Sequence, residues 1–388
     1  MQYDGLQRQL EMFLTGMMGE VPEIPAGSDA LRERAQAAMT PQAYGYVAGS
    51  AGNERTAKAN VRAFDAYPIV PRLLRNVESR DLSTTVLGEP WPAPVALAPI
   101  GVLGIVHEEG EKAVARAASK VGVPFVLSTV SSFDIETVAA EAGEGRRWFQ
   151  LYWPKSRELA LSLVKRAEAA GYSALVVTLD TYLLAWRPRD LENGYVPFVY
   201  GDGLANYVSD PVFRAGLGED PADNPTQTVL YFASIFSNAG LTWDDLAWLR
   251  EQTDLPILLK GLLHPDDAQA GIDRGADGII VSNHGGRQMD GAIAALDALP
   301  AIVERVGHRC EVLFDSGIRT GSDVMKALSL GAKAVLLGRP YVYGLGIAGE
   351  SGVRDVALNL LADLDLSLGL AGLKRMSELG PELFRNSL

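Results

Sequence analysis

Eight short apolar segments, each followed by a stretch of helical periodicity, constrain the fold of this chain more than any other feature. The segments are Pro94–Pro99, Pro124–Ser128, Trp148–Tyr152, Ala174–Asp180, Pro256–Lys260, Gly278–Asn283, Glu311–Asp315 and Ala334–Gly338. Their apolar residues run continuously, which is typical of strands buried on both faces of a parallel sheet. Stretches with alanine and leucine at helical spacing follow at Glu109–Val121, Arg157–Ala170, Pro265–Arg274 and Gly321–Leu330. Eight such units in series predict an α/β fold of the (β/α)8 type, a TIM barrel.

The spacing of the segments divides the chain further. The stretch from Asp180 to Lys260 is more than three times as long as that from Lys260 to His284. This predicts a long lid insertion after the fourth strand, at about residues 183–240, and its aromatic residues favour a folded lid. Residues 1–90 are predicted to form an N-terminal helical segment, with helices at Asp29–Ala38, Pro41–Ala48 and Glu54–Phe64. So short a segment buries little surface alone, so we expect it to pack on the barrel of residues 91–388.

Composition narrows the classes of function. A formal net charge of −13 argues against a nucleic-acid partner, because phosphate would be repelled. The single cysteine, Cys310, allows no internal disulfide and predicts a cytoplasmic protein. The first residues, Met1–Gly5, carry no basic region or apolar core of a signal peptide. No apolar run approaches the ~18 residues of a membrane span, and no metal site is predicted.

Charged side chains stand at the ends of consecutive predicted strands. Asp180, Lys260, His284, Asp315 and Arg339 occupy these positions, where parallel barrels build active sites. Asp180 alone is explained equally well by a helix cap or an ion pair, but charge is rare inside a barrel and the set predicts a catalytic site. A histidine can accept a proton near neutral pH, and an arginine such as Arg287 can hold a carboxylate with two hydrogen bonds. This chemistry suits removal of a proton from a small organic acid.

Two features of the same strand ends indicate a flavin. Glycine and arginine after the seventh and eighth strands, at Gly317, Arg319, Gly338 and Arg339, fit the phosphate site that recurs in barrels. Lys260 could place its ammonium beside a negatively charged cofactor. No glycine-rich dinucleotide or ATP motif opens a βα unit.

Several motifs in combination carry a family resemblance. They are Tyr44–Gly49, Phe149–Tyr152, Thr178–Thr181, Trp186–Asp190, Asn206–Pro211, Leu259–Gly261, Ser282–Arg287, Phe314–Arg319 and Leu337–Pro340. With them the chain resembles the FMN-dependent L-2-hydroxy acid oxidase family, and most of all its lactate 2-monooxygenase branch. The resemblance covers nearly the whole chain and implies FMN as the cofactor, a small 2-hydroxy acid and O2 as the reactants, and a homotetramer or homo-octamer.

The resemblance also implies a role for each site residue. His284 would be the catalytic base, with Asp180 orienting its ring and Lys260 stabilising negative charge on the reduced flavin. Arg187 and Arg287 would bind the substrate carboxylate, with hydroxyl contacts from Tyr46 and Tyr152. The implied FMN contacts are Ala98, Pro99, Ile100 and Gly101 beside the ring, Ser128, Gln150, Thr178 and Ser282 near it, Asp315 on the ribityl chain, and Gly317, Arg319, Gly338 and Arg339 on the phosphate.

Gly101 bears on the products. Many oxidases of the family carry alanine there, whereas the monooxygenase branch has glycine, although a glycine at a strand-to-loop corner is also a common backbone requirement. The monooxygenase would retain the keto acid and convert L-lactate to acetate, CO2 and water. An oxidase with the same residues would release the keto acid and H2O2, and the dynamics of the lid would decide between the two. Tyr182–Ala185 lack the bulkier aromatics of the lactate branch, which leaves room for a larger 2-hydroxy acid.

Other functions remain open on the sequence. A dehydrogenase that reduces a quinone or cytochrome is disfavoured because the chain has no heme domain or membrane anchor. An FMN-dependent isomerase of diphosphates would need a second basic cluster, and an aldolase using Lys260 as its nucleophile would not need the phosphate arginines. A flavin-binding protein without catalysis would have no use for His284, Asp180 and the two carboxylate-binding arginines.

Overall fold

The N-terminal part of the chain is helical and ends in a hairpin. A computed structural model describes residues 3–384, so the outermost ends of the predicted segments 1–90 and 91–388 lie outside the described residues. The helices are α1 (Gly5–Met17), α2 (Ser28–Ala38), α3 (Pro41–Ala48) and α4 (Arg55–Arg62), and the hairpin consists of β1 (Thr84–Val86) and β2 (Glu89–Trp91). The last three helices match the sequence prediction to within two residues. Helix α1 and the hairpin were not predicted.

The predicted (β/α)8 barrel is confirmed. Its strands are β3 (Val95–Leu97), β4 (Phe125–Ser128), β5 (Arg147–Leu151), β6 (Leu175–Thr178), β7 (Ile257–Leu262), β8 (Gly278–Val281), β9 (Glu311–Asp315) and β10 (Val335–Leu337). Each strand pairs in parallel with the next, and β10 closes the barrel by pairing with β3. Six of the eight strands lie within the predicted apolar segments, and β5 and β7 extend beyond theirs by one and two residues.

Helices surround the barrel and fill the predicted insertion. Those around the strands are α5 (Gly110–Val121), α6 (Ile135–Ala142), α7 (Arg157–Ala169), α12 (Trp243–Arg250), α13 (Pro265–Asp273), α14 (Ala295–Val306), α15 (Gly321–Ser329) and α16 (Arg339–Leu370). Between β6 and α12 lie four short helices, α8 (Pro188–Glu192), α9 (Ala205–Val208), α10 (Pro211–Leu217) and α11 (Pro225–Phe236). The insertion after the fourth barrel strand is therefore a folded helical layer.

The alternation of side chains along each strand creates two separate apolar clusters. Residues such as Leu97 and Phe149 point outward and join the large core shared with the helices. Their neighbours Ala96 and Trp148 point inward and pack with Val126, Val176, Leu258, Ile280, Leu313 and Leu336 inside the barrel. Because successive side chains of a strand face opposite sides, a continuous apolar run supplies both clusters.

The β1–β2 hairpin closes the amino-terminal end of the barrel. Val86 and Trp91 belong to the cluster inside the barrel, and the rings of Trp91 and Trp148 lie 5.3 Å apart. Trp91 is 1% exposed. The division of the chain at residues 90 and 91 remains a prediction, although this hairpin spans it and packs with the barrel strands.

Replacing Trp91 with alanine is expected to lower the stability of the whole barrel. Removing a buried aromatic side chain leaves a cavity and costs about 3–5 kcal/mol of the free energy of unfolding. Urea denaturation would measure the loss. Phe13→Ala is a matched control, because that ring is 68% exposed on α1 and its removal should leave the midpoint nearly unchanged. Equal midpoints for Trp91→Ala and the control would contradict the assignment of the hairpin as part of the core.

Candidate active site

A polar layer follows directly on the apolar layer inside the barrel. Along each strand, the residue two positions after the inward-facing apolar residue also faces the axis of the barrel. In the strands β3 to β10 these positions hold Ala98, Ser128, Gln150, Thr178, Lys260, Ser282, Asp315 and Gly338. All eight were predicted site residues, and they lie at the carboxyl end of the barrel, where such folds place their active sites.

Above this layer a cleft opens, with about 1070 Å³ of empty space, part of it open to solvent. That size suits a site for a cofactor and a small ligand. Predicted residues that line the cleft are Tyr46, Ala98, Pro99, Ile100, Gly101, Tyr152, Arg187, Lys260, His284, Arg287, Asp315, Gly317, Arg319, Gly338 and Arg339. The other predicted residues are not among those that line the cleft. Asp180 and Ser282 bond the lining residues His284 and Lys260, and Ser128 accepts from the backbone of Val130. The remaining two are Gln150 and Thr178.

His284 is held between a carboxylate and a phenol. Its Nδ1 lies 2.8 Å from Oδ1 of Asp180, and its Nε2 lies 3.4 Å from the hydroxyl of Tyr152. The Thr181 hydroxyl donates to the same Asp180 oxygen at 2.9 Å. This arrangement places the Nδ1 proton toward Asp180 and leaves Nε2 as the nitrogen that faces the cleft and Tyr152.

Two glycines and one strained residue allow the approach of Asp180 and His284. A side chain at Gly261 would overlap the carboxylate of Asp180, whose Cγ would lie 2.7 Å from the added Cβ. His284 has a φ of 58°, in the left-handed region that residues other than glycine rarely adopt. Gly285 follows with a φ of 64°. The turn after β8 therefore has a backbone that the sequence pattern His-Gly-Gly accommodates.

Burial and charge set the protonation of the pair. Burial lowers the pKa of His284 below its ordinary value, although the Asp180 carboxylate opposes the shift. For Asp180, burial alone would raise the pKa, but the His284 ring and then Lys260 outweigh it and lower the pKa. At neutral pH the pair therefore consists of a neutral imidazole and an ionised carboxylate. Burial also raises the pKa of the Tyr152 hydroxyl, which stays protonated.

Lys260 is buried in the polar layer and keeps its charge. Its ammonium lies 3.0 Å from Oδ2 of Asp315 and donates to the hydroxyl of Ser282 at 3.0 Å. Burial works against the charged amine, but Asp315 and Asp180 outweigh it and raise the pKa of Lys260. A permanent positive charge thus faces the floor of the cleft.

Four arginines line the cleft, and none lies within ion-pair distance of a carboxylate among residues 3–384. Arg187 donates to the backbone oxygen of Arg287 at 3.1 Å and to Gln288 at 2.9 Å. Arg287 donates to the backbone oxygen of Tyr46 at 2.6 Å and lies over its ring, 4.9 Å from the centroid. Burial, then Arg287, lower the pKa of Arg187. Buried guanidinium groups held by neutral partners form a receptor for an anion.

The other two arginines stand beside the start of α16. Arg339 donates to the backbone oxygens of Gly285 and Gly49, both at 2.9 Å, and burial followed by Arg287 lower its pKa to about 10. Arg319 donates to the backbone oxygen of Ile318 at 2.7 Å, and burial lowers its pKa as well. Gly317, with a φ of 107°, lies at the same edge. Glycine backbone, a helix amino terminus and two arginines are the components of a phosphate site.

The polar layer contains atoms that lack partners. Nε2 of Gln150 and Oγ1 of Thr178 are buried and form no hydrogen bond to any atom of residues 3–384. The amide oxygen of Gln150 is occupied by the hydroxyl of Ser128 at 3.1 Å. A buried donor without a partner is costly, so these atoms indicate that a polar ligand completes the layer.

Comparisons with known proteins identify the family. The family model described as FMN-dependent dehydrogenase matches residues 35–386. An L-lactate oxidase of Lysinibacillus sphaericus is 46% identical over 88% of this chain and 88% of its own length. An FMN-dependent alpha-hydroxy acid dehydrogenase qulF of Penicillium citrinum is 44% identical over 95% of this chain and 92% of its own length.

A solved structure agrees with these matches. The crystal structure of mandelate oxidase superposes with a TM-score of 0.81 at 38% identity, covering 92% of this chain and 97% of that one. The chain belongs to the FMN-dependent dehydrogenase family, and its cofactor is FMN. Among residues 3–384 there is no cluster of ligands that could hold a metal ion, and no helix there is long and apolar enough to cross a membrane.

The cleft fits FMN. The unpartnered Gln150 and Thr178 atoms lie where the sequence predicted contacts to the isoalloxazine ring. Lys260 supplies a positive charge in the same layer, and Arg319 and Arg339 lie at the predicted phosphate site. The assignment of individual contacts to the cofactor remains a prediction.

Several lining residues were not predicted from the sequence. Phe236, at the end of α11, lies in a part of the insertion to which no function was assigned, and its ring lies 5.5 Å from that of Tyr152. Phe198 and Leu184 line the same side. Thr181, whose hydroxyl donates to Asp180, lies in the Thr178–Thr181 motif, but no function was predicted for it. A cluster of phenylalanines in an insertion after an active-site strand was the available signal.

The structure shows that the space beside Gly101 is occupied by neighbouring residues. A Cβ added to it would overlap the backbone oxygen and a methyl group of Val130 and would lie 3.0 Å from the hydroxyl of Ser128. The direction in which a methyl group would point is therefore filled by protein. Glycine is required there by close backbone approach, so Gly101 alone gives no argument for the monooxygenase.

Arg319→Ala is expected to weaken FMN binding. Loss of a charged hydrogen bond to an anion costs about 1.5–3 kcal/mol, which corresponds to about a 10- to 150-fold rise in the dissociation constant. Titration of the apoprotein with FMN, followed by quenching of flavin fluorescence, would measure it. Arg305→Ala is the control, because that arginine forms an exposed ion pair with Asp266 away from the cleft. Unchanged affinity in Arg319→Ala would remove Arg319 from the phosphate site.

Proposed function

We propose that the protein oxidises a small L-2-hydroxy acid with FMN and O2, and that L-lactate is such a substrate. The observation that carries the proposal is a neutral histidine and two arginines without carboxylate partners around one cleft. A base and an anion receptor side by side match a 2-hydroxy acid, which presents a carboxylate and a neighbouring hydroxyl carbon. The relative named L-lactate oxidase supports this chemistry.

The side chains act in a defined order in this proposal. Arg187 and Arg287 bind the substrate carboxylate, and the hydroxyls of Tyr152 and Tyr46 contact the substrate. His284 accepts a proton at Nε2, and the ionised Asp180 at Nδ1 stabilises the imidazolium that results. FMN, when bound, would supply the two-electron redox chemistry between the substrate and O2. Lys260 keeps its positive charge in the polar layer and would stabilise negative charge on a flavin bound there.

Two outcomes follow from the same residues. If the keto acid stays bound until oxygen has reacted, L-lactate yields acetate, CO2 and water. If it leaves first, the products are pyruvate and H2O2. The aromatic cover from Phe198 and Phe236 favours retention, whereas the relatives described as oxidases favour release. We keep lactate 2-monooxygenase as the finer proposal and the oxidase as its alternative.

Assembly and location also belong to the proposal. A homotetramer or homo-octamer follows from the resemblance of the sequence to its family, and a cytoplasmic setting from the single cysteine.

His284→Ala is expected to bind FMN and remain yellow but to be reduced by L-lactate far more slowly than the wild type. Removal of a general base costs about 10²- to 10⁴-fold in rate. Anaerobic mixing with L-lactate, followed by flavin absorbance, measures the reduction directly. Thr253→Ala, at a hydroxyl that bonds Glu168 far from the cleft, is the control. Reduction of His284→Ala at the rate of wild type would exclude His284 as the base.

Product analysis separates the two outcomes. We expect aerobic turnover of L-lactate by the wild type to give acetate with little H2O2. Acetate, pyruvate and H2O2 would be assayed together in one reaction. Pyruvate and H2O2 in equal amounts would establish the oxidase, and the absence of any flavin reduction by 2-hydroxy acids would refute the proposed function itself.

A further inference from the structure

A pair of asparagine amides connects the N-terminal segment to the residue before His284. Nδ2 of Asn60, on α4, donates to Oδ1 of Asn283 at 2.7 Å, and Nδ2 of Asn283 donates to Oδ1 of Asn60 at 2.7 Å. Both side chains are buried, with Asn60 1% and Asn283 5% exposed. The two bonds close a reciprocal ring between residues that are far apart in the sequence. Neither asparagine is among the predicted site residues.

Each amide has a second task at the same place. Oδ1 of Asn283 also accepts the backbone N–H of Gly286 at 3.1 Å, so its side chain bridges the turn formed by His284 and Gly285. Nδ2 of Asn283 also donates to the backbone oxygen of Ile293 at 3.0 Å, and Oδ1 of Asn60 accepts from the backbone of Ala295 at 3.1 Å. The orientation of the Asn283 amide is therefore fixed on every side.

The turn needs this support because its backbone is unusual. His284, Gly285 and Gly286 all have positive φ values, of 58°, 64° and 79°. Glycine adopts this region freely, but histidine does not, and such a conformation persists where its surroundings determine it. Helix α4 presses directly on the turn, since a Cβ at Gly286 would lie 2.5 Å from the backbone nitrogen of Ala57.

We propose that Asn60, acting through Asn283, is a positioning residue that holds His284 in its left-handed conformation with its ring between Asp180 and Tyr152. The proposal rests on the proposed function for the role of His284 as the base. A helix of the N-terminal segment thereby becomes part of the catalytic apparatus. Without the amide pair, the Asn283 side chain loses its fixed orientation, and the turn can relax toward conformations that histidine prefers.

The proposal predicts a change in the titration of His284. The charged and titratable groups around its ring are Asp180, Lys260, Arg187 and Tyr152. Burial is the main cause that lowers its pKa, so a loosened turn that admits water raises the pKa toward the ordinary value of about 6.5. The neutral ring is the active form, so activity is lost as pH falls through this pKa. A raised pKa therefore moves the acid limb of kcat/KM to higher pH.

The first measurement is independent of turnover. The chain has four histidines, so labelling of the histidine rings gives few NMR signals, and His284→Gln identifies the relevant one. In the FMN-loaded protein we expect the pKa of His284 to be higher in Asn60→Ala than in the wild type. We also expect kcat to fall about 10- to 100-fold, as for a displaced catalytic group, with a much smaller change in KM.

Thr56→Val is the matched control. Thr56 lies on the same helix and is equally buried, and its hydroxyl donates to the backbone of Met289 at 3.0 Å and accepts from Gly291 at 2.9 Å. It therefore ties α4 to the same loop without touching the amide pair. We expect Thr56→Val to lower thermal stability and to leave the His284 pKa and the acid limb unchanged.

Each remaining outcome decides the proposal. An unchanged His284 titration in Asn60→Ala, or an equal shift in Thr56→Val, would overturn it. If Asn60→Ala does not fold, Asn60→Ser replaces it, because a short neutral side chain removes the amide that pairs with Asn283 and adds no charge near His284. Failure of both variants to bind FMN would make the pair a general anchor of α4 and would also overturn the proposal. If the wild type shows no turnover, the proposed function is refuted. The NMR titration of His284 in Asn60→Ala would still test whether the amide pair positions the histidine.

Discussion

The structure depends on the concentration of positive charge at one end of the barrel. Lys260 and four arginines face a single cleft. Of these five cations, only Lys260 lies within ion-pair distance of a carboxylate of residues 3–384. Buried charge is costly unless it is paired, so a barrel that carries such a set is complete only when anions occupy it. The phosphate of FMN is one anion that would fit, and the carboxylate of the proposed 2-hydroxy acid would be a second. In the proposed function the same group of cations therefore holds both the cofactor and the substrate.

The two-residue period of a strand places these charges. Along β7, Leu258 belongs to the apolar interior and Lys260, two positions later, to the polar layer. The same step leads from Leu313 to Asp315 on β9 and from Trp148 to Gln150 on β5. One barrel therefore holds a stabilising core and a catalytic floor in adjacent layers, with no change of secondary structure between them.

Much of this architecture could be predicted from the sequence, because strands buried on both faces leave continuous apolar runs. The strand ends then indicated His284, Asp180 and Lys260, and the structure brings all three to one end of the barrel. The hairpin could not be predicted, since Thr84–Trp91 is short and contains Pro90, which disfavours a strand assignment. Phe236 was missed because a side chain supplied by an insertion leaves no periodic signal. The environment of Gly101 depends on the approach of Val130, a contact between separate βα units that the sequence does not encode locally.

The hairpin also limits access to the interior of the barrel. The tilted rings of Trp91 and Trp148 lie 5.3 Å apart and fill the amino-terminal end of the barrel. We therefore expect ligands to reach the polar layer from the opposite, carboxyl end, where the cleft opens. At that end Leu184, Phe198 and Phe236 line the cleft. In the proposed function the substrate, O2 and the product would share that end of the barrel, so occupancy of the cleft by one would limit entry of the next.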